Sequence, residues 1–448
     1  MISAIFERFV EQTPLTVMVR AMMERLFAPE LLDQLFEETA EQQYHRTLLF
    51  STVVGLMSLV VCGMYPSVSA AYKGFEKVIG VSKVALYDKI NGLEPNLSQA
   101  LVRYSSEQLI AIEQEFSAAT TVLLADYQVR ILDGNHIGGT EHRLKVLREE
   151  SSGALPGQTL NVLDPQRSLV VDVFPCEDGH AQERSLLPQV LERVQAQQVW
   201  IGDRNFCTSD FLNQIEQRQA YFIFREHQKL AWTEVTSLQQ VGQNESGSVF
   251  EQQIQLSSGL QIRRVVIQLE QPTRHGDMQV VVLTNLPIVD ADALTVSDLY
   301  LKRWQIENMF QTITDTFHCE LNTLGYPRAA LFVFCIALVS FNILSTVKAA
   351  LKQVHGATVI DEQLSDYYVV EDVQATWRGL EIAILPTDWQ PFGTMPPNDF
   401  AQYLQAWAAQ VNLKRFRKSK RGPKKPKTKK QFDPKHPHVA TTRLLNPE

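Results

Sequence analysis

The first 115 residues place apolar side chains at three- and four-residue spacing, a pattern that predicts helices. Within them, residues 67–95 contain two short amphipathic segments that are joined near Gly80 and stop near Gly92. This outline is typical of a DNA-binding helix-turn-helix, but an ordinary helical hairpin gives the same pattern. We predict a helical N-terminal domain over residues 1–125 and leave both interpretations open.

From residue 126 the pattern changes to short apolar runs bounded by turn residues. These runs predict strands over 129–135, 159–164, 169–175, 199–203 and 221–226, with helices over 183–197 and 209–219. Three strands followed by alternating helices and strands indicate an α/β domain built on a mixed sheet.

The remaining chain divides by composition. Residues 227–279 are rich in Gln, Ser and Gly and alternate in polarity, which predicts a small β-rich insertion between a first core part (126–226) and a second (280–355). The second part contains a predicted helix over residues 300–317. Residues 356–412 then predict a helical C-terminal region, in which Trp377, Trp389 and Trp407 are available for packing.

Two apolar runs, 48–64 and 331–347, are about as long as the shortest membrane-spanning helices. Both contain Ser, Thr, Asn or Gly, so we interpret them as buried core helices and expect no membrane partner. The five scattered cysteines form no C-x-x-C pair, which argues against a disulfide framework or a thiolate zinc site. With no signal peptide pattern at the N-terminus, a cytoplasmic location is expected.

Charge is distributed unevenly. Residues 414–448 contain 13 Lys and Arg against two acids, a net charge of +11, so the first 413 residues carry −19. Gly and Pro interrupt the basic run, and we predict a disordered basic tail over residues 413–448. Such a tail is suited to nonspecific DNA contact, although a solvated tail without a partner has the same composition.

Two acids follow apolar strand patterns. Asp133 stands at the end of one predicted strand and Asp203 at the end of another, and a buried carboxylate is costly unless it has a partner. Neighbouring strand ends would let the two acids share a cation, and oxygen donors favour Mg²⁺ or Mn²⁺. Each acid alone also fits a turn or cap. A site containing His136 and His142 is less favoured because no third ligand is evident. Asp172, in mid-strand, is interpreted either as structural or as a residue that supports the metal ligands without binding the ion.

A third acid belongs to the stretch YLKRWQIENMF, residues 300–310. At about 100° per residue, Tyr300, Arg303 and Glu307 share one face of a helix, beside an apolar stripe that would dock it on the sheet. A simple Arg–Glu pair four residues apart explains the same spacing. The spacing by itself does not distinguish these alternatives.

Taken together, the three acids resemble those of DDE transposases with a ribonuclease-H-like core, and most closely the insertion sequence 4 group. In that group the second acid is followed by Arg and an aromatic, as in Asp203-Arg204-Asn205-Phe206. The third acid lies in a pattern of Tyr, two residues, Arg, three residues, Glu, which Tyr300, Arg303 and Glu307 match. The pattern then expects a lysine, where this chain has Thr314.

The resemblance implies cut-and-paste transposition, with nicking at the element ends and strand transfer to target DNA. Asp133, Asp203 and Glu307 would hold two Mg²⁺ ions, or Mn²⁺ in their place, that drive displacement at phosphorus. DNA contacts are expected from Tyr300, Arg303, Trp304, Arg204, Lys302, Lys418, Lys420, Arg421, Lys424 and Lys425. The expected partners are terminal inverted repeats, target DNA and a second copy of the chain in a homodimer, on the nucleoid.

Two other functions stay open. Loss of the lysine at Thr314 would suit a catalytically inactive DNA-binding protein derived from a transposase. A metal-dependent nuclease without strand transfer would use the same three acids. The pattern does not give the sequence of the terminal repeats, the preferred target or whether a hairpin forms.

Overall fold

The computed structural model describes residues 3–43, 47–116, 122–139, 144–149, 153–273, 276–419 and 439–446. The N-terminal part is helical, as predicted. Its helices are α1 Ala4–Gln12, α2 Pro14–Leu26, α3 Pro29–Thr39, α4 Phe50–Val61, α5 Val68–Ile79, α6 Lys83–Gly92 and α7 Pro95–Glu113.

Helices α5 and α6 form the helical pair predicted over residues 67–95. The Ser67 and Ser82 hydroxyls cap the two helices by accepting hydrogen bonds from backbone N–H groups. Gly80 ends α5 with a positive φ of 66°, a conformation that glycine adopts without a steric penalty. Local sequence signals therefore determine this turn, and DNA binding by the pair stays a prediction.

A ten-stranded mixed sheet forms the centre of the described structure. The strands of the central region are β1 Gln128–Ile137, β2 Ala154–Leu155, β3 Gly157–Asp164, β4 Leu169–Cys176, β5 Gln198–Gly202, β6 Tyr221–Arg225, β7 Trp232–Glu234, β8 Gln239–Asn244, β9 Gly247–Leu256, β10 Gln261–Leu269 and β11 Gln279–Thr284. The sheet order is β4-β3-β1-β5-β6-β11-β10-β9-β7, and β8 pairs with β9. Strands β1, β5 and β6 run parallel, whereas β3 and β4 pair antiparallel. The mixed sheet predicted from the strand pattern is confirmed.

The predicted β insertion continues this sheet. Strand β11 pairs with β6, and β10 and β9 follow outward, so main-chain hydrogen bonds run from the core strands into residues 247–269. Pairing between distant segments creates this continuous sheet. The alternation of polar and apolar residues predicts each strand, but it does not predict which strands pair.

Several helices connect and cover the strands. They are α8 Leu187–Leu191, α9 Ser209–Gln217, α10 Ala293–Leu301, α11 Trp304–Thr316 and α12 Pro327–His355. The helix predicted over 183–197 is wrong in length, because a 3-10 turn, Glu183–Leu186, precedes α8. Pro188 has no N–H for a helical hydrogen bond, so it fits the first turn of α8 but not the interior of a helix that begins at residue 183.

Helix α12 is long and apolar enough to cross a membrane by length and composition, but its most apolar window is entirely buried by protein. It lies in a continuous core that also contains Phe6 of α1 and Trp389 of the C-terminal region. The prediction that both apolar runs form buried helices is confirmed, since α4 is also largely buried.

Asn342 of α12 closes the open edge of β4. Its side chain accepts a hydrogen bond from Val170 N at 2.7 Å and donates one to Val170 O at 2.8 Å, and it is fully buried. We expect Asn342→Ala to lower the free energy of unfolding by about 2–5 kcal/mol, because two buried backbone groups lose their partners. Denaturant unfolding measures the loss, with the exposed Asn398→Ala as control. A loss equal to that of the control would contradict this role.

Glu113 at the end of α7 makes stability depend on pH. Burial raises the pKa of Glu113 to about 7, although the Thr346 hydroxyl donates to its carboxylate and Arg167 lies 3.9 Å away. A raised carboxyl pKa means that the folded state retains the proton between pH 4.5 and 7, so stability falls as pH rises through this window. We expect Glu113→Gln to remove about 3 kcal/mol of that fall. Unfolding at pH 4.5 and 7.5 tests it, and parallel pH profiles of variant and wild type would refute it.

The C-terminal region contains α13 Ala357–Gln363, α14 Asp366–Ala383, α15 Pro386–Thr394 and α16 Pro397–Ala408, and the three tryptophans pack as predicted. A 3-10 turn, Leu413–Phe416, follows with Phe416 buried. Strand β12 Val439–Ala440 pairs with β2, and α17 Thr441–Leu445 follows. Residues 413–419 and 439–446 of the predicted disordered tail thus contact the body, and residues 420–438 and 447–448 lie outside the described part.

Candidate active site

Asp133 and Asp203 lie next to each other across two parallel strands. The last paired residues of β1 and β5 are Leu132 and Gly202, so the acids occupy the following position of each strand. Strand β1 does not end there as predicted: it continues to Ile137, and Asp133 pairs with Asn161 of β3. Asp133 is therefore in mid-strand, at the point where its other neighbour, β5, has stopped.

The local structure after β5 fixes Asp203. Its backbone stays extended, and its carboxylate caps the 3-10 turn Arg204–Phe206 by accepting a hydrogen bond from Asn205 N at 2.8 Å. The predicted cap role and the predicted ligand role are compatible, because one bonded oxygen leaves further lone pairs on the carboxylate.

The helix predicted over residues 300–317 is interrupted. Helix α10 ends at Leu301 and α11 begins at Trp304, with i→i+3 hydrogen bonds across Lys302 and Arg303. These bonds tighten the turn, so the single-helix geometry does not apply. Glu307 instead lies in the first turn of α11, where the helix dipole favours a carboxylate.

Arg303 joins the acids across this break. Its guanidinium nitrogens lie 2.8 Å from Glu307 Oε1 and 3.5 Å from Asp133 Oδ2, and its side chain is 13% exposed. The buried Tyr300 contacts the same guanidinium, and the Trp304 ring lies 5.1 Å from it. The structure thus combines both explanations of the motif: the Arg–Glu pair exists, and it faces a strand acid.

The electrostatics around Asp133 favour a bound proton or cation. Burial raises the pKa of Asp133 to about 7, and the carboxylates of Asp203 and Glu183 add to this effect. Arg303 and the N–H of Gly134 oppose it without cancelling it. Burial and the neighbouring carboxylates disfavour the negative charge on Asp133, and a bound cation would offset this effect. Carboxylate oxygens are also the donors that divalent cations such as Mg²⁺ prefer.

The carboxylate donors suit a divalent metal, but their arrangement around a metal ion is incomplete. Within the described ranges, no three His, Cys, Asp or Glu side chains are grouped to hold an ion. Asp133 and Asp203 are aligned, whereas Glu307 is paired with Arg303. His136 lies three residues after Asp133, so strand alternation directs it to the other face, against a shared site. His142 is outside the described residues.

The other predicted contact residues are dispersed. Arg204 is exposed beside Asp203, Lys302 is half-buried, and Trp304 is 46% exposed. Lys418 donates to Asp361 O on another part of the surface, and Lys420, Arg421, Lys424 and Lys425 lie outside the described residues. Thr314 is exposed and donates to Phe310 O, so no cation occupies that position.

Asp172 and Glu183 show what sequence reasoning assigned and what it missed. Asp172 pairs with Arg103 at 2.7 Å and with Arg193 at 3.5 Å, in agreement with a structural role. Glu183 was not singled out, yet its carboxylate lies against Gly134 and accepts a hydrogen bond from Asn205. Its only sequence signal was its place at the start of a predicted helix.

The match to a family model agrees with the motif. Residues 124–343 match the family model described as the transposase DDE domain. A cryo-EM structure of a piggyBac transposase synaptic complex with hairpin DNA aligns over 85% of this chain and 84% of that one, at 9% identity and a TM-score of 0.38. No curated protein matches the chain. The segment that carries Asp133, Asp203 and Glu307 thus matches the transposase DDE domain.

Proposed function

We propose that the chain is a cut-and-paste transposase of the insertion sequence 4 type, with a ribonuclease-H-like core and Asp133, Asp203 and Glu307 as its catalytic acids. The observation that carries the proposal is the alignment of Asp133 and Asp203 on adjacent parallel strands, with Arg303 joining Asp133 to Glu307. The transposase DDE domain match over the same residues supports it.

The three carboxylates would hold two Mg²⁺ ions, or Mn²⁺ in their place. When bound, such ions activate the attacking oxygen and stabilise the leaving one in displacement at phosphorus. Arg303 and Tyr300 would bind the phosphate, since a guanidinium suits bidentate phosphate contact. Trp304 is exposed enough to stack on a base, and Arg204 and Lys302 flank the acids.

DNA contacts away from the acids would come from two surfaces. Helices α5 and α6 present the exposed Lys73, Lys77 and Lys83. The basic tail would contribute Lys418, Lys420, Arg421, Lys424 and Lys425. The affinity of these contacts for DNA should fall steeply as the salt concentration rises. A homodimer would bring two element ends together, in the cytoplasm on the nucleoid.

The test uses the purified chain and a supercoiled plasmid that carries the terminal inverted repeats of its own element. We expect nicks and double-strand breaks at the repeats with Mg²⁺ or Mn²⁺, none with a chelator, and joined products when target DNA is added. Cleavage without joining would indicate a nuclease. Retained DNA binding without cleavage in either metal would establish the binding-only function, which the missing cation at Thr314 favours.

A further inference from the structure

A third segment, the 3-10 turn Glu183–Leu186, connects the loop that carries Asp203 to the strand that carries Asp133. The Asn205 side chain donates to Glu183 Oε2 at 2.5 Å, and its backbone N–H donates to Asp203 Oδ1 at 2.8 Å. The Arg184 side chain donates to Asn205 O at 2.5 Å. Two consecutive residues of the 3-10 turn Glu183–Leu186 therefore bind the side chain and the backbone carbonyl of Asn205, the residue whose N–H donates to Asp203.

The Glu183 carboxylate also contacts β1, the strand that carries Asp133. A Cβ atom added to Gly134 would lie 2.0 Å from Glu183 Oε1, so the absence of a side chain makes room for Glu183. Gly134 directly follows Asp133 and donates its N–H to Asp133 Oδ1 at 2.9 Å. Glu183 thus links the backbone beside Asp133 to the loop that carries Asp203.

Resting on the proposed function, we propose that Glu183, Asn205 and Gly134 form a positioning clamp that fixes the Asp203 carboxylate beside Asp133 for metal binding. Glu183 acts as a hydrogen-bond acceptor in this clamp. Its bond to Asn205 restrains the loop from which the Asn205 N–H donates to the Asp203 carboxylate. Such partners of metal ligands typically change metal affinity by about 10–100-fold.

Glu183→Ala and Glu183→Gln separate the roles, because Gln keeps an acceptor oxygen and removes the charge. Mn²⁺ affinity of the full-length, metal-free protein is measured by electron paramagnetic resonance. We expect a loss of about 10–100-fold for Ala and less than about threefold for Gln. Glu192→Ala, an exposed glutamate nearby, is the control. Equal losses for Ala and Gln would overturn the clamp in favour of a charge effect.

Gly134→Ala tests the steric half of the clamp, since the added methyl group must displace the Glu183 carboxylate. It should weaken Mn²⁺ binding about as much as Glu183→Ala, and the double variant should lose little more. Additive losses would overturn the link.

Amide hydrogen exchange over residues 203–207 supplies a readout without metal. Exchange should be faster in Glu183→Ala and Gly134→Ala and unchanged in Glu183→Gln, with equal melting temperatures confirming the fold. Unchanged exchange in Glu183→Ala would overturn the clamp. Absence of Mn²⁺ binding by the wild-type chain would instead count against the proposed function alone.

Discussion

DNA cleavage by Glu307→Gln is expected to fall more than about a hundredfold. Residues that only hydrogen-bond to a metal ligand already change activity by about 10–100-fold, and Glu307 is a proposed ligand itself. Asp133→Asn and Asp203→Asn should lose cleavage to the same degree. All three substitutions keep the side-chain shape and remove the charge needed to hold a divalent ion. Single-turnover cleavage of the plasmid ends measures the loss.

Binding to the same ends should persist in the three variants, as followed by gel shift at fixed salt. Asp210→Asn serves as the matched control, since Asp210 is exposed on α9 and contacts Gln214. Wild-type cleavage by any one of the three variants would remove that residue from the proposed site. Loss of binding along with cleavage would indicate a folding defect instead.

Arg303→Ala is expected to change cleavage and metal affinity in opposite directions. Cleavage should fall about a hundredfold or more, because the phosphate loses a bidentate contact. Mn²⁺ affinity should rise several-fold, because the guanidinium that pairs with Glu307 and faces Asp133 no longer competes for the carboxylates. Arg303→Lys keeps the charge without the planar fork and should show a smaller rise in affinity.

The two readouts are measured on the same preparations, by cleavage rate and by Mn²⁺ titration. Arg218→Ala is the control, because Arg218 donates only to Gln214 among its described side-chain contacts and lies at the end of α9. Weaker Mn²⁺ binding by Arg303→Ala would mean that Arg303 orients Glu307 rather than competing for it.

The sequence named residues that the structure brings together in the candidate site, but it did not give their arrangement, and their catalytic role stays a prediction. The strand pattern placed Asp203 correctly after β5 but ended β1 too early at Asp133, and the four-residue spacing anticipated the Arg303–Glu307 pair. The break at Lys302 escaped prediction because the residues on both sides have ordinary helical character. Glu183 escaped because its contacts span 22 residues to Asn205 and 49 to Gly134.

The sequence by itself determined the elements whose signals are local. Alternation and apolar runs specify strands such as β1 and β5, and Ser82 and Gly80 specify a helix start and stop, because side-chain periodicity and capping act within a few residues. Tertiary structure decided which strands became neighbours, that the insertion continued the sheet, and that Arg303 faced Asp133. These outcomes depend on contacts between distant segments, whose energies no local pattern records.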